Sequence, residues 1–266
     1  MNVLEMKEKR VIAVIGCPPL PGSPMYRPMT RERYCAYVVN ELDTLIAGGI
    51  ESVMLQNIGD LPVPEEARAE TIAWMSMLGS LIRDRTPGFL GVSLLEDDAE
   101  ATLSVAQAIG ADFVRLKVFV GAMTGPDGVR QGNAYKAQRY RTQLGARDIA
   151  IFSDVYDRTR WPLEGQHFEA MVHEAVWYGK SDGLVITGRT HHETFRLLER
   201  ARAVTDVPIL VGGGVDASNV KDYLKKSNGV IVGTSLKQQD ELLEPIDKGR
   251  VVALAKAVCY GEITTS

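Results

Sequence analysis

The chain has little cysteine: three residues, Cys17, Cys35 and Cys259, among 266. They form no Cys-x-x-Cys pair, and any disulfide scheme leaves one thiol over. That excludes a disulfide scaffold and suits a reducing compartment. Histidine is also scarce, at four residues. His167 and His173 lie six apart, which is not the i,i+4 spacing of a helical metal pair, so no metal or other cofactor is expected. Excess positive charge is missing: Lys+Arg is 30 against Asp+Glu 34, a formal net charge of −4. That balance argues against a nucleic-acid partner, whose binding rests on surplus cations. Uncharged stretches such as Thr71–Ile82 fall short of the ~20 residues a membrane-spanning helix needs. Met1-Asn2-Val3-Leu4-Glu5 lacks the basic and then apolar regions of a signal peptide, and no Asn-x-Ser/Thr sequon occurs. A cytoplasmic protein is expected.

What the chain does have is a recurring unit: a short β-branched run, a loop with Gly or Asp, then a longer amphipathic stretch. Buried parallel strands read as continuous apolar runs because helices cover both faces of the sheet. The predicted strands are Val11–Ile15, Ser52–Gln56, Phe89–Ser93, Phe113–Val118, Ile149–Ser153, Gly183–Thr187, Pro208–Val211 and Gly229–Val232. The predicted helices are Arg31–Ala47, Glu66–Arg83, Asp97–Ile109, Ala134–Leu144, His167–Tyr178, Glu193–Ala203, Ala217–Leu224 and Asp247–Val258. Gly48, Gly110, Gly145 and Gly179 are expected as left-handed helix ends. Strict alternation gives a parallel sheet, and eight pairs are the number that closes a (βα)8 TIM barrel. No composition shift marks a boundary, so residues 1–266 are read as one barrel domain. An open doubly wound sheet is the alternative, but Gly16-Cys17-Pro18-Pro19 after the first strand is not the glycine turn such a fold uses.

In barrels the chemistry sits on the loops that follow the strands. The strongest signal is a pair of loops after strands seven and eight, Gly212-Gly213-Gly214 and Gly233-Thr234-Ser235. Backbone N–H groups around Gly213, Gly214 and Gly233, with the hydroxyls of Thr234 and Ser235, form a phosphate cradle in this reading. Tight strand-to-helix turns are the plainer explanation. Lys237 is either a phosphate-binding point charge or a solvated lysine. Asp216 is expected to cap a helix opened by Asp216–Asn219.

Arg115 and Lys117 share one face of strand four by period-two alternation. Arg115 is read either as a substrate-binding cation or as the structural partner of a buried carboxylate. Lys117 is the candidate catalytic base or amine. Asp154 closes strand five, as a candidate general base or a turn cap. It is also the expected counter-charge to Lys117, one strand over. Asn57 and Asp60 are candidates to orient substrate hydroxyls, although Asn-x-Gly-Asp is ordinary turn chemistry. His191 in the sixth loop is a further candidate to contact substrate. Asp97-Asp98 reads as a helix start. Cys17 reads as a small packed thiol, having no histidine partner. Trp74, Met75 and Met77, or Trp177 and Tyr178, suit either contacts in a homo-oligomer or core packing.

Several segments, in order along residues 11–258, resemble the BtpA/SgcQ family. They include Pro18-Pro19-Leu20-Pro21-Gly22-Ser23-Pro24, Asn57-Ile58-Gly59-Asp60, Arg139-Tyr140-Arg141-Thr142-Gln143-Leu144-Gly145-Ala146 and Gly229-Val230-Ile231-Val232-Gly233-Thr234-Ser235-Leu236-Lys237. The resemblance implies a (βα)8 barrel. It also implies either an enzyme of sugar-phosphate or nucleoside metabolism or a factor for photosystem I biogenesis. The sequence departs from the family's usual residues at strand ends, at Cys17, Gln56, Ser93 and Lys117, and carries Arg158-Thr159 after strand five. Together these observations predict an enzyme that binds a small phosphorylated metabolite, with isomerase, lyase and glycosyl-bond cleavage all open. A non-catalytic assembly factor or a metabolite-sensing binder is the alternative.

Overall fold

The computed structural model describes residues 10–156, 158–239, 241 and 243–259. The N-terminal reading on Met1–Glu5 lies outside the described residues, as do the outermost parts of the 1–266 domain assignment. Eight parallel strands close a barrel, β1 (Arg10–Gly16), β2 (Ser52–Gln56), β3 (Leu90–Ser93), β4 (Phe113–Leu116), β7 (Ala150–Tyr156), β9 (Gly183–Ile186), β10 (Ile209–Val211) and β11 (Gly229–Val232). Around the ring they run β1-β11-β10-β9-β7-β4-β3-β2, so each strand pairs with its sequence neighbours in the barrel. The eight expected helices form as α1 (Arg31–Ala47), α2 (Ala69–Arg83), α3 (Ala99–Ile109), α4 (Ala134–Gln143), α5 (Phe168–Trp177), α6 (His191–Arg202), α7 (Val220–Lys226) and α8 (Lys248–Cys259). Local chemistry sets their starts: Thr30 accepts from Arg33 N, and Asp98 accepts from Glu100 N and Ala101 N.

Period two sorts the strand residues into two cores. Ile12, Val14, Met54, Phe113, Phe152, Val185, Leu210 and Ile231 fill the lumen. The alternate set, among them Ala13, Ile15, Val53, Leu55, Val114, Ile151 and Val230, packs against the helices. Phe113 and Phe152 meet edge-on in the lumen with centroids 5.6 Å apart. Each needs a glycine on the next strand. A Cβ on Gly91 would lie 2.2 Å from the Phe113 ring, and one on Gly183 would lie 2.3 Å from Phe152. The same alternation, carried upward, sets which side chains reach the mouth.

Three expectations change. The segment 119–133, left without an element between the predicted strand Phe113–Val118 and the predicted helix Ala134–Leu144, contains a hairpin, β5 (Ala122–Gly125) and β6 (Gly128–Gln131), which pairs with β8 (Trp161–Pro162) as a small antiparallel sheet. Asp154 does not end its strand; β7 runs on to Tyr156. Gly110 and Gly145 take left-handed φ, but Gly48 does not, its neighbour Gly49 being left-handed at φ +95°. After α5 the left-handed residue is Lys180 rather than Gly179. Of the apolar residues that suit either oligomer contacts or core packing, Met75 is fully buried and Trp74 and Met77 pack on the core. Trp177 and Tyr178 stand 64% and 66% exposed.

Candidate active site

A cavity of about 420 Å³ opens at the C-terminal ends of the strands. Its floor is Val14 and Ile231, the last apolar members of the lumen stack. Glycines form one side: Gly212, Gly213 and Gly214 after β10, then Gly233 with Thr234 and Ser235 after β11. A short 3-10 turn over Thr234–Leu236 follows Gly233, and the first N–H groups of such a turn have no acceptor within it. The Ser235 hydroxyl donates to Val215 O at 2.6 Å, so it fastens the two loops together.

Gly212 cannot carry a side chain here. A Cβ would lie 2.4 Å from Val185, 2.6 Å from Thr187 Oγ1 and 3.0 Å from Arg115 Nη2. The Arg158 guanidinium lies over the next two glycines, with its Cζ and Nη2 3.4 Å from a Cβ built on Gly213 and its Nη1 3.7 Å from one on Gly214. Thr187 Oγ1 is buried at the cavity wall and has no hydrogen-bond partner within the protein.

Arg115 and Asp154 form a forked pair, Nε to Oδ1 at 2.8 Å and Nη2 to Oδ2 at 2.7 Å. Adjacent strands β4 and β7 pair Arg115 with Phe152, so alternation brings Asp154 onto the same inward face. The Asp154 carboxylate is 0% exposed and Arg115 is 11% exposed. Asp154 is therefore a holder of Arg115, not the free counter-charge to Lys117. Lys117, two residues above Arg115, lines the cavity. Among the described residues no carboxylate lies within ion-pair distance of Lys117 or Arg158.

Four candidates stand elsewhere. Asn57 and Asp60 are buried under the cavity rim. Asn57 donates to Asp60 at 3.0 Å and to Glu96 at 3.0 Å and accepts from Leu95 N; Asp60 accepts from Leu20 N at 2.7 Å. They brace three loops, and only Ile58 between them faces the cavity. Burial raises the pKa values of both Asp60 and Glu96. His191 opens α6 with Nδ1 2.8 Å from Tyr223 OH and its ring against Phe195, away from the cavity. Lys237 is buried, its ammonium paired with buried Glu41. Neither solvated nor phosphate-facing, it anchors the loop after β11 to α1. Cys17 is packed beside Met75, and burial pushes its thiol pKa far up. Among the described residues no group of three or more His, Cys, Asp or Glu side chains could hold a metal ion, and no helix is long and apolar enough to cross a membrane.

The sequence profile of the BtpA family matches residues 7–259. The chain belongs to the BtpA family. The photosystem I biogenesis protein BtpA of Synechocystis is 31% identical over 225 residues, covering 83% of this chain and 78% of that protein. An uncharacterised protein of Pyrococcus horikoshii is 30% identical over 257 residues, covering 96% of this chain and 98% of its own length. Among solved structures, a thiamine phosphate pyrophosphorylase from Pyrococcus furiosus aligns with TM-score 0.57 at 15% identity, over 95% of this chain and 96% of that one. A KDPGal structure aligns with TM-score 0.59 at 12% identity, over 95% and 96%. Likeness at those identities shows the (βα)8 fold.

In this BtpA-family barrel sequence reasoning assigns no role at the mouth to three residues, although Arg158 stands out there as a departure from the family's usual residues. Arg158 sits in an irregular loop with no period to read. Thr187 ends an apolar run as one polar residue among many. Asp97 looks like a helix cap beside Asp98, but only one aspartate can cap α3. Asp97 instead takes a left-handed φ of +59° and accepts from Lys117 N at 2.6 Å and Val118 N at 2.8 Å. Burial pushes its pKa up to about 6, opposed by those two N–H groups. It fixes the backbone from which Lys117 projects.

Proposed function

We propose that this BtpA-family barrel is an enzyme acting on a small phosphorylated sugar or nucleoside-like metabolite. The phosphate rests on the backbone N–H groups of Gly213, Gly214, Thr234 and Ser235, with the Arg158 guanidinium closing over it. Position carries the reading: Arg158 lies against the glycine turn without an acidic partner among the described residues. A guanidinium with no ion-pair partner among the described residues, set against exposed backbone donors, offers a phosphate several donors at one corner, while Asp216 on the same side is held by Ser218 and Asn219. Thr187 Oγ1, buried and unpartnered beside Gly212, adds a donor to the same corner.

Arg115 supplies a rigid fork because Asp154 holds it. Lys117 is the second cation of the mouth, able to donate a hydrogen bond or a proton to an oxygen of the bound metabolite. Isomerisation, retro-aldol cleavage and glycosyl-bond cleavage all place growing negative charge on an oxygen, which a fixed cation stabilises. The test is calorimetry with inorganic phosphate and sugar phosphates, alongside product analysis. Arg158→Ala should weaken phosphate binding by about tenfold or more. Lys117→Met should abolish turnover of the substrate while phosphate still binds. Absence of phosphate binding to the wild type overturns the proposal.

A second reading, an assembly or stability factor, takes support from the 31% identical relative named for photosystem I biogenesis. Phosphate binding without turnover of any phosphorylated metabolite, with cellular function intact in Lys117→Met, favours it.

A further inference from the structure

The cations of the mouth are divided between two sides. Arg158, and Arg115 leaning on Gly212, stand at the glycine corner. Lys117 follows β4, and in the ring order β4 lies four strands from β11 whichever way one counts. In a closed ring of eight that is diametrically opposite the Gly233-Thr234-Ser235 loop. A phosphate seated at the glycine corner therefore leaves Lys117 rooted across the cavity, on the Asp97 side and with no ion-pair partner among the described residues.

Among the described residues no carboxylate forms an ion pair with the Lys117 ammonium. Asp97 accepts from Lys117 N and Val118 N, and the Lys117 charge acts on it through space and lowers its pKa, but the two form no ion pair. Asp154 is forked onto Arg115. Asp216, the acid among the described cavity-lining residues, accepts from Ser218 N, Ser218 Oγ and Asn219 N through Oδ1, on the β10 side. Between the two cationic sides lie Gln56, Ile58 and Leu95, which offer one amide and two apolar surfaces.

We infer that the metabolite carries two anionic groups, a phosphate at the Arg158 glycine corner and a second anion, carboxylate or phosphate, on Lys117. This rests on the phosphate reading above and specifies its substrate class. Strands ~4.8 Å apart and tilted ~36° close an eight-stranded ring roughly 15 Å across, which suits anions joined by about four to six carbons. Sugar acid phosphates and sugar bisphosphates have that form. A lysine ammonium meets either anion as a point charge, so the site itself admits both.

The experiment is calorimetry at fixed low ionic strength with inorganic phosphate, glucose 6-phosphate, 6-phosphogluconate and fructose 1,6-bisphosphate. At least one of the two doubly anionic ligands should bind about tenfold or more tighter than glucose 6-phosphate. Which of them does so identifies the second anion. Lys117→Met should erase that preference while inorganic phosphate binds as in the wild type, which also reports an intact fold. Arg158→Ala should weaken all four. Equal affinity for singly and doubly anionic ligands, or a preference that survives Lys117→Met, overturns the inference and leaves the phosphate site standing. No binding of phosphate or any phosphate ester overturns both.

Discussion

Arg115 and Asp154 meet through two parallel hydrogen bonds of 2.8 and 2.7 Å, below the mouth of the barrel, with the carboxylate fully enclosed. The pair lies between the apolar lumen and the cavity. A charge taken out of water at that depth is tolerated only while its partner is present. Asp154 thus acts through Arg115, and the arginine, not the aspartate, lines the cavity.

Asp154→Asn should therefore destabilise the fold, by about 3 kcal/mol or more, because it leaves the Arg115 charge without its fork partner. Urea unfolding followed by circular dichroism reads this directly. The double variant Arg115→Met with Asp154→Leu should cost less than Asp154→Asn alone. A single variant as stable as wild type would remove the pair from this role.

Lys237 and Glu41 pose the same question on the other side of the barrel. The Glu41 carboxylate takes the Lys237 ammonium and Ile246 N together. Lys237→Met is expected to cost about 3 kcal/mol, with a favourable coupling to Glu41→Gln in a double-mutant cycle. Direct phosphate contact by Lys237 would instead show as lost phosphate affinity with stability unchanged.

Asp97 makes stability depend on pH with an unusual sign. Its carboxyl titrates near 6 in the folded protein, above the ordinary 3.8 of an unfolded aspartate. Between those values the native state holds more protons than the unfolded one. This residue's contribution therefore falls as pH rises from about 4 to 6 and is fully lost above that. Measured from pH 4 to 7, wild type should lose roughly 1–3 kcal/mol relative to Asp97→Asn. A difference that stays flat with pH contradicts the assignment.

Thiol reactivity should sort the three cysteines by burial. Cys17 is buried, with its pKa pushed far up by its surroundings, Cys35 is half-buried and Cys259 is exposed. In the native protein a disulfide reagent should modify Cys259 first and leave Cys17 untouched until unfolding. Rapid modification of Cys17 would mean that the β1 loop opens in solution.

Much of this protein follows from local pattern. Apolar runs separated by amphipathic stretches determine eight strand–helix units, because a strand covered on both faces has no polar side to show. Eight units close a ring, and the ring brings the glycine loops after β10 and β11 to one end. Period two along a single strand also puts Arg115 and Lys117 on one face. The tertiary structure decided which charges meet. Arg115 rather than Lys117 takes Asp154, because the register between β4 and β7 sets their relative height, and no single strand encodes that offset. Lys237 turns inward because the short turn after Gly233 directs it at Glu41, 196 residues earlier. Asn57 and Asp60 look like substrate ligands in the linear sequence, yet they are spent bracing loops from three strands. Arg158 reaches the glycine corner on a loop whose neighbour Arg160 forks onto Asp127 of the β5–β6 hairpin at 2.6 and 2.7 Å, while Arg189 stacks on Trp161 at 3.3 Å. Periodicity acts within one element; the partners of a buried charge are chosen between elements, by register and by where the loops close.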